Sequence, residues 1–480
     1  MAQSEAAIAS STDAEKVSFI RRPVVVLAVI CLAAFTAILD TSVVGLMLPL
    51  IGRDLHARVA DLAWVANSYV LTYAVLLASA GVLGDRYGRK RVFMIGLALF
   101  GLGSVACAVA PSVAWLLVGR VVQGAGAAAM LTLALAQISI TFPERRQWAM
   151  GIFVLFGSLG GVAGPLAGAL VAGLGGWRFI FWNLALVALL SLLAASVVLV
   201  GSRGAPRRLD LPGLALVSAS LVALNFGLLE GASWGWMSIA TLAAFGVAAG
   251  TLAAFVMWES ACREPMLRLK TFTNATFLGN TVAGACGWFS ALAVVIYTSI
   301  YLQSELGLGV LAAGLVLGTW GLVSAAAGLT VERAVRLVGT EALLVGSLVA
   351  LALALAPWAF ATSTWPVWPA VVLMALMGAP FSYIIALSAA GAFSGFSPSE
   401  AGLAAATFNT MRQIGSSMGV ALPAAALSTI LDGRTLAPVV VGLNAALDAA
   451  FTVRVLVVVV ATVAVWLLFK RARSVLHSVP

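Results

Sequence analysis

The sequence predicts an all-α polytopic membrane protein with fourteen membrane-spanning helices. Apolar residues make up 62% of the 480 residues and charged residues only 9%, a balance that soluble globular proteins do not have. The apolar residues form runs of about twenty, and each run is long enough to cross a hydrocarbon core of roughly 30 Å. The basic residues behind the net charge of +9 are scattered through short loops, so we interpret them as orientation signals and expect no nucleic-acid partner.

Fourteen apolar spans follow one another along the chain, and most of the connections between them are short. The predicted ranges are 24–49, 62–83, 92–110, 113–135, 149–174, 179–200, 213–229, 238–258, 277–302, 310–331, 341–360, 367–393, 401–430 and 450–469.

Loop charges orient these spans. With the N-terminus in the cytoplasm, basic residues concentrate in cytoplasmic segments such as 86–91 and 203–208, whereas the external side holds few of them. This is the positive-inside pattern, and one span more or fewer would destroy it. The sequence therefore predicts both termini in the cytoplasm, and the lack of sorting signals favours a bacterial inner membrane. The external basic residues are Arg53, Arg58, Arg178 and Arg434.

The spans divide into two groups of six with two further spans between them. The loop SRGAPRRLD after the sixth span combines proline, glycine and arginine, a composition typical of a joint. Two six-helix halves form a known transporter architecture, with the substrate site near the midplane between them. We predict an N-terminal six-helix bundle at 24–200, a linker with two additional helices at 201–275, a C-terminal six-helix bundle at 276–469, and cytoplasmic tails at 1–23 and 470–480.

The fifth span carries a stripe of small residues. Gly157, Gly161, Gly164 and Gly168 follow one another at helical spacing, and Pro165 comes directly after Gly164. So many glycines would weaken a soluble helix, whereas in a membrane small residues let two helix backbones approach closely. We interpret the stripe as a packing and hinge surface between two bundles that move against each other. Ordinary helix packing is the alternative.

The turn after the second span combines glycine with charge. It reads GVLGDRYGRKR and contains Gly84, Asp85, Arg86, Gly88 and Arg89. The glycines allow a tight reversal, and Asp85 is placed to pair with a nearby arginine or a helix N-terminus. Such a cluster can stabilise one conformation through contacts made only in that state. We expect a conformational latch, with a merely basic turn as the alternative.

Asp40 is the only carboxylate that we place well inside the membrane. From Val24 to Asp40 a helix rises roughly 24 Å, at about 1.5 Å per residue. A buried carboxylate is costly unless it is paired or protonated. We expect Asp40 to carry protons through alternating access to water. A structural ion pair with a buried arginine is the alternative, and the two interpretations are compatible.

Several motifs together resemble the major facilitator superfamily, in particular its fourteen-helix drug:proton antiporters. The GVLGDRYGRKR turn is similar to the signature loop of that superfamily, and LLVGRVVQGAG at 116–126 is similar to its arginine motif. The glycine stripe resembles the motif of its antiporters, and LDTSVV at 39–44 resembles the acidic motif of the fourteen-helix subfamily. WRFIFWN at 177–183 and FNTMRQIG at 408–415 are similar to that subfamily too, so the resemblance covers nearly the whole chain.

The resemblance implies a major facilitator fold with two proton-coupling residues, Asp40 and Arg120. Their depths in the helices, together with the resemblance, place Arg120 beside Asp40. The centres of spans nine to fourteen hold no acidic residue, whereas several relatives that export dications have one there. Strong selectivity for dications is therefore not expected.

Two further arginines fall inside predicted spans. Arg412 lies deep in the thirteenth span, so it bonds carbonyl groups, faces a watery cavity or binds an anionic substrate. The alternative is a packing residue satisfied by Asn409 and Gln413. Arg454 lies near a span end, and we expect it to pair with Asp448 and to have no functional role.

Polar and aromatic side chains that face the centre should line the substrate cavity. Any single one of them is more often a packing residue in a membrane helix, so they are candidates only. They are Asn67, Tyr73, Gln123, Trp288, Tyr297, Trp320, Tyr383, Asn409 and Arg412.

These features predict a proton-coupled antiporter, not an enzyme, that exports hydrophobic small molecules such as drugs, toxic compounds or metabolites by alternating access. Deep arginines make neutral or weakly acidic substrates at least as suitable as dications. One alternative is a proton-coupled importer or uniporter of the same fold, against which the glycine stripe argues. The other is a membrane-embedded enzyme or lipid-handling protein.

The sequence speaks against an enzyme because it contains no cluster of catalytic residues. His56 and His477 lie outside the spans, and no metal spacing, phosphate loop or nucleophile–base pair is visible. We therefore expect no cofactor, metal or nucleotide, and the proton gradient as the energy source. The expected partners are a small hydrophobic substrate, protons and the lipid bilayer.

Overall fold

A computed structural model describes residues 23–202, 210–262, 269–394, 396, 398–431 and 443–477. Most of the predicted N-terminal tail, the basic segment 203–208 and Arg434 lie outside these residues. The helices are α1 Pro23–Asp54, α2 Val59–Tyr87, α3 Arg89–Ala108, α4 Val113–Thr141, α5 Arg146–Val198, α6 Leu211–Trp234, α7 Ile239–Ala261, α8 Ala275–Ala293, α9 Val310–Gly328, α10 Val331–Val338, α11 Thr340–Leu355, α12 Val367–Phe393, α13 Pro398–Leu431 and α14 Leu443–His477.

Local sequence explains where several helices begin. Ser112 accepts a hydrogen bond from the backbone N–H of Trp115 at the start of α4, and Asp210 does the same for Gly213 at the start of α6. Asn274 caps α8 by accepting from two backbone N–H groups. Such side chains bond N–H groups that have no partner inside the helix, so these chain reversals are stable at the membrane surface.

Helix α5 contains a break that divides it into two membrane crossings. Its 53 residues would span about 80 Å as one straight helix, far more than a bilayer core. Gly175 and Gly176 interrupt the helix with non-helical dihedral angles, and Gly176 has a φ of 72°, which favours glycine. The two arms correspond to the predicted fifth and sixth spans. We call this end of the molecule the Gly176 side.

The expected all-α membrane fold is confirmed. Within the described residues, thirteen helical segments are long and apolar enough to cross a membrane, and Ala163–Val198 of α5 counts as one of them. Dividing α5 at its break gives the fourteen predicted crossings. The short helix α10 has no buried residue and lies between two crossings.

Helix α8 continues beyond residue 293 in an unusual conformation. Two π-helical turns, Val294–Thr298 and Tyr301–Glu305, extend it towards the Gly176 side. The side chains of Ser299 and Gln303 both donate hydrogen bonds to the Leu46 carbonyl of α1, at 3.1 and 2.8 Å. Single π turns inside α-helices are frequent at functional sites. Here they connect the N-terminal and C-terminal groups of helices.

Candidate functional site

A fully buried ion pair lies at the centre of the N-terminal helices. Asp40 of α1 is 0% exposed and Arg120 of α4 is 1% exposed. The Nη1 of Arg120 donates to Oδ2 of Asp40 at 2.6 Å and to the side-chain carbonyl of Gln123 at 2.9 Å, and its Nε donates to the Val65 carbonyl at 3.1 Å. The structure therefore places the two predicted proton-coupling residues in direct contact.

Arg120 has more stabilising partners in its surroundings than the Asp40 carboxylate has. The guanidinium group of Arg120 lies 4.5 Å from the ring centroid of Tyr69, a distance at which the ring stabilises a cation. The amide of Gln123 is fixed in turn by a bond to Ser104 at 2.8 Å. In contrast, Oδ1 of Asp40 is buried without a hydrogen-bond partner. One carboxylate oxygen is therefore available to accept a proton without breaking a bond.

Small residues allow the helices around the pair to approach closely. A Cβ atom at Gly124 of α4 would lie 2.5 Å from the Tyr69 carbonyl of α2, which real Cβ contacts do not reach. Gly124 is one helical turn from Arg120, and the close approach of α4 to α2 brings the Arg120 side chain within reach of the Val65 carbonyl. The predicted arginine motif thus combines the charge with the glycine that positions it.

The glycine stripe contacts α1, the helix that carries Asp40. A Cβ atom at Gly164 would lie 2.5 Å from Ser42, and one at Gly168 would lie 2.9 Å from Val43. Gly157 faces Ile38 in the same way. The four glycines of the stripe therefore pack against α1, in the same group of helices, and not between the two bundles as expected. The function of the stripe as a hinge stays a prediction.

A neighbouring face of α5 makes the contact between bundles. Gly314 of α9 packs against the Pro165 carbonyl and the Ala169 side chain, and a Cβ atom at Gly314 would lie 2.7 Å from both. Helix α5 therefore contacts α1 on one face and the C-terminal bundle on another. Helix α5 thus links the helix of Asp40 to the C-terminal bundle.

Two adjacent glycines of α5 allow a matched test of its contact with α1. A Cβ atom at Gly160 would lie 2.5 Å from the Phe35 carbonyl, whereas the nearest atom to a Cβ at Gly161 is 3.7 Å away, in Ile38. We expect Gly160→Ala to destabilise the purified protein by about 1–3 kcal/mol, since overpacking forces a backbone shift. Gly161→Ala should be neutral or stabilising by up to about 1 kcal/mol. Thermal melting in detergent measures both, and the opposite order would contradict the described packing.

The predicted latch turn contacts groups of its own bundle. Gly88 separates α2 from α3 with a φ of 104°, which side chains rarely adopt. Arg89 forms an ion pair with Asp85 at 2.8 Å, and a Cβ atom at Gly84 would overlap Leu133 of α4. Arg86 is exposed beside Tyr87. The turn therefore packs against its own bundle and presents its charge at the end of the molecule opposite the Gly176 side.

Four of the cavity candidates lie together between the bundles. The Arg412 guanidinium group of α13 lies 4.6 Å from the ring centroid of Trp288 and interacts with the hydroxyl group of Tyr73. Trp288 and Trp320 each make an edge-to-face contact with Phe381, with ring centroids 6.4 and 5.0 Å apart. Tyr73 is at the midpoint of α2, so this group lies near the middle of the membrane. We call these five residues the Arg412 cluster.

The other candidates have different surroundings. Gln123 belongs to the Asp40 pair, and the hydroxyl group of Tyr297 donates to the Val420 carbonyl within the C-terminal bundle. Tyr383 bonds Thr330 at an exposed helix end at 2.8 Å. Asn67 is fully buried and bonds Asn225 of α6. Asn409 is partly buried on α13.

Sequence reasoning missed Asn225. Its side-chain carbonyl accepts hydrogen bonds from Asn67 of α2 and from Ser417 of α13, the latter at 3.2 Å. One amide therefore connects the additional helix α6 to both bundles. The available signal was an amide side chain in the middle of an otherwise apolar span, because an amide at that depth needs partners.

The expected pair between Arg454 and Asp448 is not formed. Arg454 is 0% exposed, and none of its three guanidinium nitrogens has a hydrogen-bond partner. Its guanidinium group lies 4.9 Å from the ring centroid of Phe451. Positions six residues apart in a helix point in different directions, since one turn takes 3.6 residues. The two residues are close along the chain, but they lie on different faces of the helix.

Comparisons with known proteins agree with this architecture. A sequence model of the Major Facilitator Superfamily matches residues 30–420. The tetracenomycin C resistance and export protein of Streptomyces glaucescens is 33% identical over 296 residues, which are 61% of this chain and 55% of that protein. The chain thus spans about half the length of this relative. The multidrug resistance protein Stp of Mycobacterium tuberculosis is 32% identical over 413 residues, which are 85% of this chain and 76% of Stp.

The fold is also similar to that of solved transporters. A bacterial homologue of the human lysosomal transporter Spinster, in an inward-facing and unoccupied conformation, matches with a TM-score of 0.67 and 16% identity. The match covers 93% of this chain and 97% of that one. The family match over most of the chain, the similar resistance and export proteins and the common fold lead to one conclusion: the chain belongs to the Major Facilitator Superfamily and is a multi-pass membrane transporter, not an enzyme.

Proposed function

We propose that this protein is a proton-coupled antiporter that exports hydrophobic small molecules, such as drugs, toxic compounds or metabolites, across a bacterial inner membrane. The observation that carries the proposal is the buried contact between Arg120 and Asp40, in which one carboxylate oxygen has no partner. Ionisable groups inside membrane spans are costly and usually functional. The relatives named as resistance and export proteins support export of small molecules.

The proposed cycle couples protonation of Asp40 to movement of the bundles. A proton from outside neutralises Asp40, and the loss of its charge weakens the attraction to Arg120. Helices α1 and α4 are then free to shift, and α5 transmits the shift to the C-terminal bundle through its contact with Gly314. Substrate leaves on the external side, and release of the proton to the cytoplasm restores the pair. No cofactor takes part, because the proton gradient supplies the energy.

The remaining predicted features fit this cycle. We propose that the bundles are formed by 24–200 and 276–469, that both termini are cytoplasmic, and that the Gly176 side is external. The bonds from Ser299 and Gln303 to Leu46 then close the external side. The Asp85–Arg89 turn lies on the cytoplasmic side and stabilises the opposite state, in which that side closes.

The test is transport of non-titratable lipophilic dyes by proteoliposomes under an imposed pH gradient. In an antiporter, protons that leave acidic vesicles drive dye inwards, whichever way the protein is inserted. A symporter would expel dye under the same gradient, and a uniporter would equilibrate it regardless of the gradient. Protein-free vesicles and vesicles with a proton ionophore are the controls. We expect gradient-dependent accumulation of dye that the ionophore abolishes. Expulsion of dye would instead indicate an importer, and equilibration regardless of the gradient would indicate a uniporter.

A further inference from the structure

The Arg412 cluster presents hydrogen-bond donors that the protein does not satisfy. The Nε of Arg412 and the indole nitrogens of Trp288 and Trp320 are buried without a hydrogen-bond partner. An unsatisfied buried donor costs about 1–3 kcal/mol and more when it is charged. Three such donors on adjoining side chains are therefore a specific feature of this site, and they need acceptor oxygens.

The cluster also lacks a negative charge among the described residues. The ion pairs of the described residues join other groups, and Arg412 takes part in none of them. Its guanidinium group instead contacts Trp288 and the Tyr73 hydroxyl group. A cation in a membrane protein usually pairs with an anion or with carbonyl groups, so the missing partner is a group that a ligand can supply.

The shape of the cluster favours a flat ligand. Trp288, Phe381 and Arg412 are only partly buried, so each keeps accessible surface beside Trp320, which is 7% exposed. The rings of Trp288 and Trp320 both contact Phe381. Aromatic faces and edges pack well against a planar ring system. The three aromatic rings provide such faces and edges near the midplane, where transporters bind substrates.

We propose that the Arg412 cluster is the substrate site for planar aromatic compounds that carry an anionic oxygen, such as a carboxylate or phenolate. The anionic oxygen bonds Arg412, the ring system packs between the aromatic side chains, and further oxygens accept from the indole N–H groups. This inference rests on the proposed export function and specifies its substrate class. It predicts discrimination against cations, because Arg412 repels them and no carboxylate of the cluster compensates.

Three fluorescent probes of the same shape test the charge preference. They are anthracenes with a carboxylate, hydroxymethyl or aminomethyl group on the central ring. Binding to the purified full-length protein is measured by fluorescence anisotropy in detergent, without a pH gradient and against empty micelles. We expect the carboxylate probe to bind at least about tenfold more tightly than the ammonium probe. The free energy of a hydrogen bond to a charged group corresponds to at least this difference in affinity.

Matched variants assign the preference to individual side chains. Arg412→Met should weaken carboxylate binding at least about tenfold while the hydroxymethyl probe, which reports on folding, still binds. Arg454→Met removes a buried arginine outside the cluster and should leave the preference unchanged. Trp320→Phe keeps an aromatic ring but removes the indole N–H, and should weaken binding of the carboxylate by about two- to tenfold. Trp358→Phe removes another buried, unpartnered indole N–H, outside the cluster. It is the control for Trp320→Phe and should leave binding of the carboxylate unchanged.

Three outcomes would overturn the inference. They are equal or tighter binding of the ammonium probe, an unchanged preference in Arg412→Met, and no binding of any probe to folded protein above that to empty micelles. None of these outcomes affects gradient-driven transport of neutral dyes, which tests the proposed antiport separately. Conversely, selective binding of the carboxylate with no response of transport to the gradient would leave the site intact and refute the coupling.

Discussion

Asp40→Asn should abolish gradient-driven dye accumulation, to the level of protein-free vesicles. Asparagine has nearly the shape of a protonated aspartate but cannot release or accept a proton in the transport cycle. Exchange of substrate for substrate across the membrane needs no net proton movement, so we expect it to persist in the variant. The measurement is accumulation under an acid-inside gradient together with counterflow at equal pH.

The matched control is Asp54→Asn at the end of the same helix. Asp54 also pairs with an arginine, Arg178, but its side chain is 45% exposed, so its removal should leave coupling unchanged. Loss of both accumulation and counterflow in Asp40→Asn would indicate a structural role for the carboxylate. Undiminished accumulation would show that another group couples protons to transport.

Arg120→Met should be among the most destabilising substitutions in the N-terminal bundle. It leaves Asp40 buried without its cation and removes the donors to Gln123 and Val65. Breaking a buried ion pair by removing one partner costs about 3–5 kcal/mol, because the remaining charge is uncompensated. The double variant Asp40→Asn with Arg120→Met should recover part of this loss, since neither group then carries a charge. Thermal melting of the purified wild type, Arg120→Met and the double variant measures these differences in stability.

The exposed pair of Arg178 and Asp54 gives the comparison. Its side chains are 38% and 45% exposed, and surface pairs contribute only about 0–1 kcal/mol. Arg178→Met should therefore lower stability much less than Arg120→Met. Similar losses for the two arginines would mean that the Asp40 pair is hydrated or weakly coupled, and the proposed proton switch would lose its physical basis.

Periodic and compositional features of the sequence predict the crossings well. Runs of apolar residues need only length to be identified, and the break at Gly175–Gly176 falls between two predicted spans because glycine and charge interrupt the run there. The sequence predicts the pairing of Asp40 with Arg120 because both lie at similar depth, where each group needs a partner. Their contact could be inferred from this general requirement and the motif resemblance.

Contacts that depend on the rotation of one helix against another could not be inferred. The glycine stripe predicts a close approach of helices but not which helix is the partner, and the structure shows that its glycines face α1. Asn225 is one of many polar residues, and only the packed structure shows that it lies between Asn67 and Ser417. The Arg412 cluster likewise brings together side chains from five helices, whose relative positions no local pattern encodes.

The π-helical turns after α8 set a helix register that conversion to α-helical turns would change. A π turn closes its hydrogen bond five residues along the chain and an α turn four. Conversion of one to the other would advance all later residues by one position, which is a rotation of roughly 100° and a translation of about 1.5 Å. Ser299 and Gln303 follow the first π turn, so this screw motion would move their side chains off the Leu46 carbonyl. The Gly176 side would then open by rotation of one helix about its own axis.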